Sequence, residues 1–209
     1  MNRVEIKEKA KEMIRGKKWY LWKPLVMFAL IMFVVSFVIS LILTLFKLST
    51  ETATAIVSVI TGFIGIAYGV GYAHYVLEFV RGNNNLDWKE ALDFAKKHWV
   101  NAIVVSIIVG IICVVGSILL VIPGIIASIG LMFYEEVVAD NPELSPMDLV
   151  KKSWNVTKGH KWDLFIFGLS FFGWMILAEL TLGILMIWLM PYMVVALTLA
   201  YEKLRSNAA

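Results

Sequence analysis

Cysteine is almost missing from this 209-residue chain. The single one, Cys113, lies inside an apolar run, so no intrachain disulfide can form and no cysteine-based metal motif exists. It reads as a small apolar packing residue. Charge is scarce too. Only 17% of the residues are charged and 60% are hydrophobic, where soluble domains carry about 25% and about 45–50%. This balance excludes an ordinary water-solvated domain, and the apolar excess falls in long unbroken runs that point to lipid as the solvent. Motifs for phosphate binding, nucleotide binding and zinc hydrolysis are absent. Two of the three histidines, His98 and His160, fall beside apolar runs, which argues against a conventional metalloenzyme. The longest loops, 81–99 and 140–163, leave no room for a large soluble domain. Hence no catalytic residue, no metal ligand and no cofactor is expected, and a non-enzymatic role follows. No secretory signal is expected either, because the stretch before the first apolar run is long and no small-residue cleavage pattern follows that run.

What is present is a set of six apolar runs: Leu25–Phe46, Ala55–Val80, Val100–Val121, Pro123–Ala139, Leu164–Leu182 and Ile184–Tyr201. As a helix the first would be about 33 Å long, enough to cross a bilayer core. Backbone within lipid must satisfy its own hydrogen bonds, so the runs are expected as helices in an all-α polytopic membrane protein. The fourth is short and carries Glu135 and Glu136 near its end. Six spans put the N-terminus, both long loops and the C-terminus on one side, and with them every one of the 19 lysines and arginines except Lys47. That asymmetry is a positive-inside signal and predicts cytoplasmic termini. A five-span reading would split the basic loops across the membrane.

Between spans four and five lies "KKSWNVTKGHKWDLF", from Lys151 to Phe165. Ser145 can cap a helix there, Pro146 suits its first position, Asp148 stands where a capping-box acid would, and Gly159 can end it. Met147, Val150 and Trp154 fall on one face, with Lys151, Lys152, Asn155 and Lys158 elsewhere. The pattern predicts a cytoplasmic amphipathic helix lying in the membrane interface, with Trp154 and Trp162 at headgroup level and Lys158 and Lys161 beside them. A solvated loop with anchoring tryptophans fits the same residues. Arg15-Gly16-Lys17-Lys18-Trp19 mirrors Lys158-Gly159-His160-Lys161-Trp162, and "DWKEALDFAKKHW" from Asp87 supplies a middle version with Trp88 and Trp99. Three such interfacial helices, each followed by two spans, would make one membrane domain of three parallel helix-plus-hairpin repeats over 1–80, 81–139 and 140–205. Convergence, since segments beside spans gather Lys and Trp anyway, is the competing account.

Polar groups at membrane depth are few. His74 and Glu78 are four apart on the second span, and Glu135 and Glu136 approach the same depth from the fourth. They would form a proton or cation site, or else the glutamates snorkel to the surface and His74 bonds a neighbouring carbonyl. Gly65 and Gly69 form a G-xxx-G pair that lets another helix approach closely, within the monomer or in a homo-oligomer.

From Gly71 onward the chain resembles a bacterial integral-membrane family known as domain of unknown function 975. The resemblance is carried by "IPGIIA" (Ile122–Ala127), "ADNPELSPMDLVKKSW" (Ala139–Trp154), "KGHKWDLF" (Lys158–Phe165), "LSFFGWMILAELTLGI" (Leu169–Ile184) and "PYMVVALTLAYEKL" (Pro191–Leu204). Gly71, Tyr72, Val80, Arg81 and Gly82 also fit. The resemblance implies a polytopic fold in the bacterial cytoplasmic (inner) membrane and no established activity, so no catalytic residues carry over. "FYEEVVADNP" departs from the pattern, since two glutamates stand where less charged residues are usual. The expected partners are membrane lipids, anionic headgroups above all, and another membrane protein; nucleic acid is not expected, because the basic segments sit beside spans. The alternative is a small transporter or channel with its polar site near the cytoplasmic ends of spans two and four.

Overall fold

The computed structural model describes residues 2–83 and 85–208, and among them every regular element is a helix. In chain order these are α1 (Arg3–Ile14), α2 (Lys18–Leu45), α3 (Thr50–Val80), α4 (Lys89–Leu119) and α5 (Val121–Gly130). Then come α6 (Tyr134–Asp140), α7 (Pro146–Thr157), α8 (Lys161–Leu180) and α9 (Met186–Ala208). Among the described residues six stretches are long and apolar enough to cross a membrane: Lys18–Leu45, Thr50–Val80, Lys89–Ile118, Val121–Asp140, Lys161–Leu180 and Met186–Ser206. Their outward faces carry Phe33, Phe37, Ile111, Ile118, Phe172 and Leu180, all exposed. Water does not tolerate apolar surface on that scale, and lipid does. The chain is built as a multi-pass membrane protein.

Helix starts follow local side-chain chemistry. Asn2, Ser49 and Ser145 each accept from the backbone N–H three residues on, at Glu5, Thr52 and Asp148. The turns from α1 to α2 and from α7 to α8 are near copies. Arg15 and Lys158 are extended at φ −63° and −60°, Gly16 and Gly159 are left-handed at +74° and +80°, and Lys17 and His160 sit at −116° and −120°. A positive φ in mid-turn is the reason for glycine at both places.

The centre of the bundle is α3, α6 and α9, which bury Tyr75, Val76, Leu77, Val137, Val138, Ala196, Ala200 and Tyr201. Two prolines determine how outer and inner helices are joined. Pro24 lacks an N–H and so frees the carbonyl four residues back in α2, that of Tyr20, which accepts the Tyr75 hydroxyl at 3.1 Å. Pro191 in α9 likewise frees the carbonyl of Ile187, and the Trp22 indole N–H donates to it at 2.9 Å. Tyr68 and Tyr72 extend the seam by donating to the carbonyls of Pro24 and Leu21. An unpaired carbonyl in lipid costs several kcal/mol, on the order given for a buried polar group. These aromatic donors therefore register α2 on α3 and α9.

Three expectations change. The middle basic segment is not a separate helix: it is the opening of α4, which runs on into the third span through a break in helical geometry at His98 (φ −117°, ψ 19°). The fourth span is discontinuous, with α5 and α6 separated at Leu131–Phe133. The break is filled by α7, whose Thr157 hydroxyl donates to the Gly130 carbonyl at 2.9 Å. The faces of α7 are also rotated from the expected ones. Leu149, Val150, Ser153, Val156 and Thr157 are buried, Met147 faces outward, and Trp154 is partly exposed with its ring laid against Gly130 of α5. The apolar stripe of α7 is covered by the protein itself, where α4, α5, α6 and α9 all contact it.

Candidate functional site

At one end of the bundle the inner helices are tied by charge. Arg81, just past α3, donates to Asp140 at 2.5 Å and to Glu202 at 2.9 Å. Arg205 of α9 pairs with the same two carboxylates, and the Tyr201 hydroxyl donates to Asp140 at 3.0 Å. Asp140 is the hub, with its side chain only 11% exposed. Burial works against the Arg81 guanidinium, but the hydrogen bonds and charges of Asp140 and Glu202 outweigh it and hold Arg81 above its ordinary value. In the sequence Arg81 and Arg205 are two basic charges among many outside the spans, and nothing local pairs them with Asp140 and Glu202. The legible signal was an acid at the end of the fourth span with arginine just beyond the second.

The four expected membrane-depth residues do not converge on one another, and three of them have separate partners. His74 stacks on Phe94 of α4 with ring centroids 4.0 Å apart. Glu78 faces Arg81 at 3.5 Å and so joins the charged end. Glu135 accepts from the Tyr134 hydroxyl at 3.0 Å, and its carboxylate fills the space beside Gly69, where a Cβ would stand 2.9 Å from Oε1. Glu136 is half-buried on α6. Asn101, a further polar residue of the third span, donates to the Pro142 carbonyl at 2.8 Å and pins the turn before α7. Among the described residues no group of three or more His, Cys, Asp or Glu could hold a metal ion.

The Gly65–Gly69 pair is not a close helix contact within the protein. Gly65 faces open space, and Gly69 makes room for a side chain. The close approach is at Gly71, where a Cβ would fall 2.0 Å from the Ala91 carbonyl oxygen of α4. Only the tertiary structure separates these glycines, which share one helix and one composition.

The expected interface residues divide by exposure. Trp19, Trp99, Trp154 and Trp162 are exposed and Trp88 is half-buried. Lys151 and Lys158 are exposed, Lys152 is tied to Asn141 at 2.6 Å, and the Lys161 ammonium lies over the Trp154 ring. Lys7 is turned towards the protein. It reaches inward from α1 to the Ser170 hydroxyl at 2.5 Å and lies 4.5 Å from the centre of the Phe171 ring. Burial pushes its ammonium below the ordinary lysine value, and Lys11 and Arg3 add repulsion. Beside it α1 buries Ile6, Ala10 and Ile14, and Lys203 of α9 pairs with Glu5 at 3.0 Å.

With this geometry in hand, the chain matches the family described as Protein of unknown function (DUF975), over residues 1–134 and over residues 105–208. It belongs to that family. The two matches together run across both the α1–α3 and the α7–α9 parts of this DUF975 protein, so the charged end and the helix centre both lie within family territory. No curated protein and no solved structure matches the chain. A polar cavity lies at the charged end of the DUF975 fold, and an apolar one lies elsewhere in the bundle. The polar one, of 660 Å³, is lined by Asn141, Lys151, Lys152, Asn155, Glu202 and Arg205, and the apolar one, of 670 Å³, lies between α2, α3 and α4.

Proposed function

We propose that this DUF975 protein is a non-enzymatic protein of the bacterial cytoplasmic membrane, with both termini in the cytoplasm, that holds anionic lipid headgroups along its basic helix ends. The observation that carries this reading is the outer face of α7. Met147, Lys151, Trp154 and Lys158 are exposed at spacings of four, three and four, hence on one stripe, and Lys161 covers the Trp154 ring. An apolar and aromatic stripe interleaved with lysine suits the boundary between acyl chains and phosphate. The start of α2 offers the same chemistry, with Lys17 and Trp19 exposed. An amphiphile or a second membrane protein would engage the outward apolar faces.

We further propose that the three units are repeats. The matching Gly16 and Gly159 turns support this, as does a left-handed residue in each hairpin of the outer units, Lys47 at φ 57° and Leu182 at φ 52°. The packing order supports it too: α1 lies on α9, the opening of α4 on α3, and α7 on α5 and α6. Each leading helix thus covers the second span of another unit, and the set closes on itself.

The test uses the full chain in nanodiscs with a phosphatidylglycerol analogue that crosslinks from its headgroup. Labelling should concentrate at residues 147–162 and fall about fivefold for each of Lys151→Gln and Lys158→Gln. Equal labelling from a phosphatidylcholine analogue would refute the reading. The transporter reading rests on a different observation, the broken fourth span with Glu135 held in the gap at Gly69. It requires cation or proton flux in proteoliposomes that Glu135→Gln reduces at least about tenfold; flux indifferent to that change, or none, removes it.

A further inference from the structure

The apolar cavity between α2, α3 and α4 has the form of a binding groove. Its 670 Å³ lies inside the range of about 300–1,000 Å³ typical of small-molecule sites. Its floor runs along α3 from Ile60 to Tyr68, roughly 12 Å of helix. One wall is preformed, because the Phe28 ring stacks flat on Tyr68 with centroids 3.7 Å apart. The Tyr68 hydroxyl is taken by the Pro24 carbonyl, so that wall offers carbon to whatever enters. The roof is α4, drawn against α3 at Gly71, and residues before and after its His98 break, Ala95 and Ile103, line the same groove.

Charge is confined to one lining residue, Lys96, with Trp99 close by in sequence and also in the lining. Lys96 stands 3.6 Å from Asp93, but both side chains are about two-thirds exposed, and such a pair contributes little. The ammonium therefore remains available to a phosphate at a membrane surface, which attracts it further when the leaflet is anionic. Phe63 and Ile64 are exposed along the groove, so it is open sideways to the surrounding lipid. A diacyl lipid can place one chain inside and leave the other in the bilayer.

We propose that this groove holds one acyl chain of an anionic phospholipid, with the phosphate against Lys96 and the glycerol region beside Trp99. The proposal rests on the reading of the chain as a membrane protein with its basic end at an anionic leaflet, but not on the α7 stripe, which is a separate surface. The test again uses the full chain in nanodiscs, now with phosphatidylglycerol carrying a diazirine in mid-chain. Labels should collect at Phe63, Ile64 and Ile103, exceeding those at Phe172 on the outer face of α8, and unlabelled phosphatidylglycerol should displace them better than phosphatidylcholine. Ala67→Trp, which fills the groove, should reduce the groove labels at least about tenfold and leave the Phe172 label unchanged. Lys96→Gln alters an exposed side chain and leaves folding intact; it should lower the preference for phosphatidylglycerol about fivefold. Equal labelling of groove and Phe172, equal displacement by the two phospholipids, or stronger displacement by a free fatty acid would each overturn the proposal. Loss of headgroup crosslinks at α7 with groove labels intact would refute the α7 reading alone.

Discussion

Asp140→Asn should cost the folded bundle about 3 kcal/mol, the lower end of what breaking a buried ion pair removes. Asp140 receives Arg81, Arg205 and the Tyr201 hydroxyl together. Asparagine keeps the shape but leaves two guanidinium groups facing each other with Glu202 as their shared carboxylate. The arginine side chains are about a third exposed, so water relieves part of the cost and the upper end of the range is not reached. Denaturant titration of the purified protein in mixed micelles reads the loss directly. Glu202→Gln should cost less, because its side chain is twice as exposed at 22%. If Asp140→Asn leaves the midpoint where it was, the charged end is ornamental to stability and α3, α6 and α9 are held by packing alone.

Gly71→Val should be at least as damaging, at roughly 3 kcal/mol or more, since overpacking that backbone cannot relieve is costly. The atom a Cβ would meet at 2.0 Å is the main-chain oxygen of Ala91, and the next is the Ala95 side chain at 2.9 Å. No rotamer change removes a clash with a carbonyl, so α4 must swing away from α3, and the Lys96–Trp99 edge moves with it. The control is Gly65→Ala on the same helix. Its Cβ meets open space, and replacing glycine in a helix interior stabilises by about 0.5–1 kcal/mol. The two substitutions should shift the unfolding midpoint in opposite directions. A loss at Gly65 would mean that the G-xxx-G face is covered by a partner, a second copy of the chain above all.

How legible these features were in the sequence depends on the range of the interaction. The bounds of α7 follow from Ser145, Pro146 and Gly159, each of which acts within a turn of itself, and the structure places the helix where they do. A helical wheel groups Met147, Val150 and Trp154 on one face, but only contacts with the other helices leave Met147 in the open, bury Val150 and lay the Trp154 ring on Gly130. The break after Gly130 carries no proline and no polar run; it exists because α7 supplies the hydroxyl of Thr157 to a freed carbonyl. Lys7 looked like every other lysine of α1 until Ser170 and Phe171 were brought beside it.

The sequence by itself determined that this chain is a six-span helical membrane protein, and it placed the family. Lipid offers no hydrogen bonds, so each span must be a long apolar run that closes its own backbone, and a rule so local can be read residue by residue. The tertiary structure alone decided how the spans are turned about their axes. Helices apolar on every side carry almost no moment to set that rotation. It was settled by contacts between residues far apart in the chain: Tyr75 on the carbonyl freed by Pro24, Trp22 on the one freed by Pro191, and Asp140 between Arg81 and Arg205.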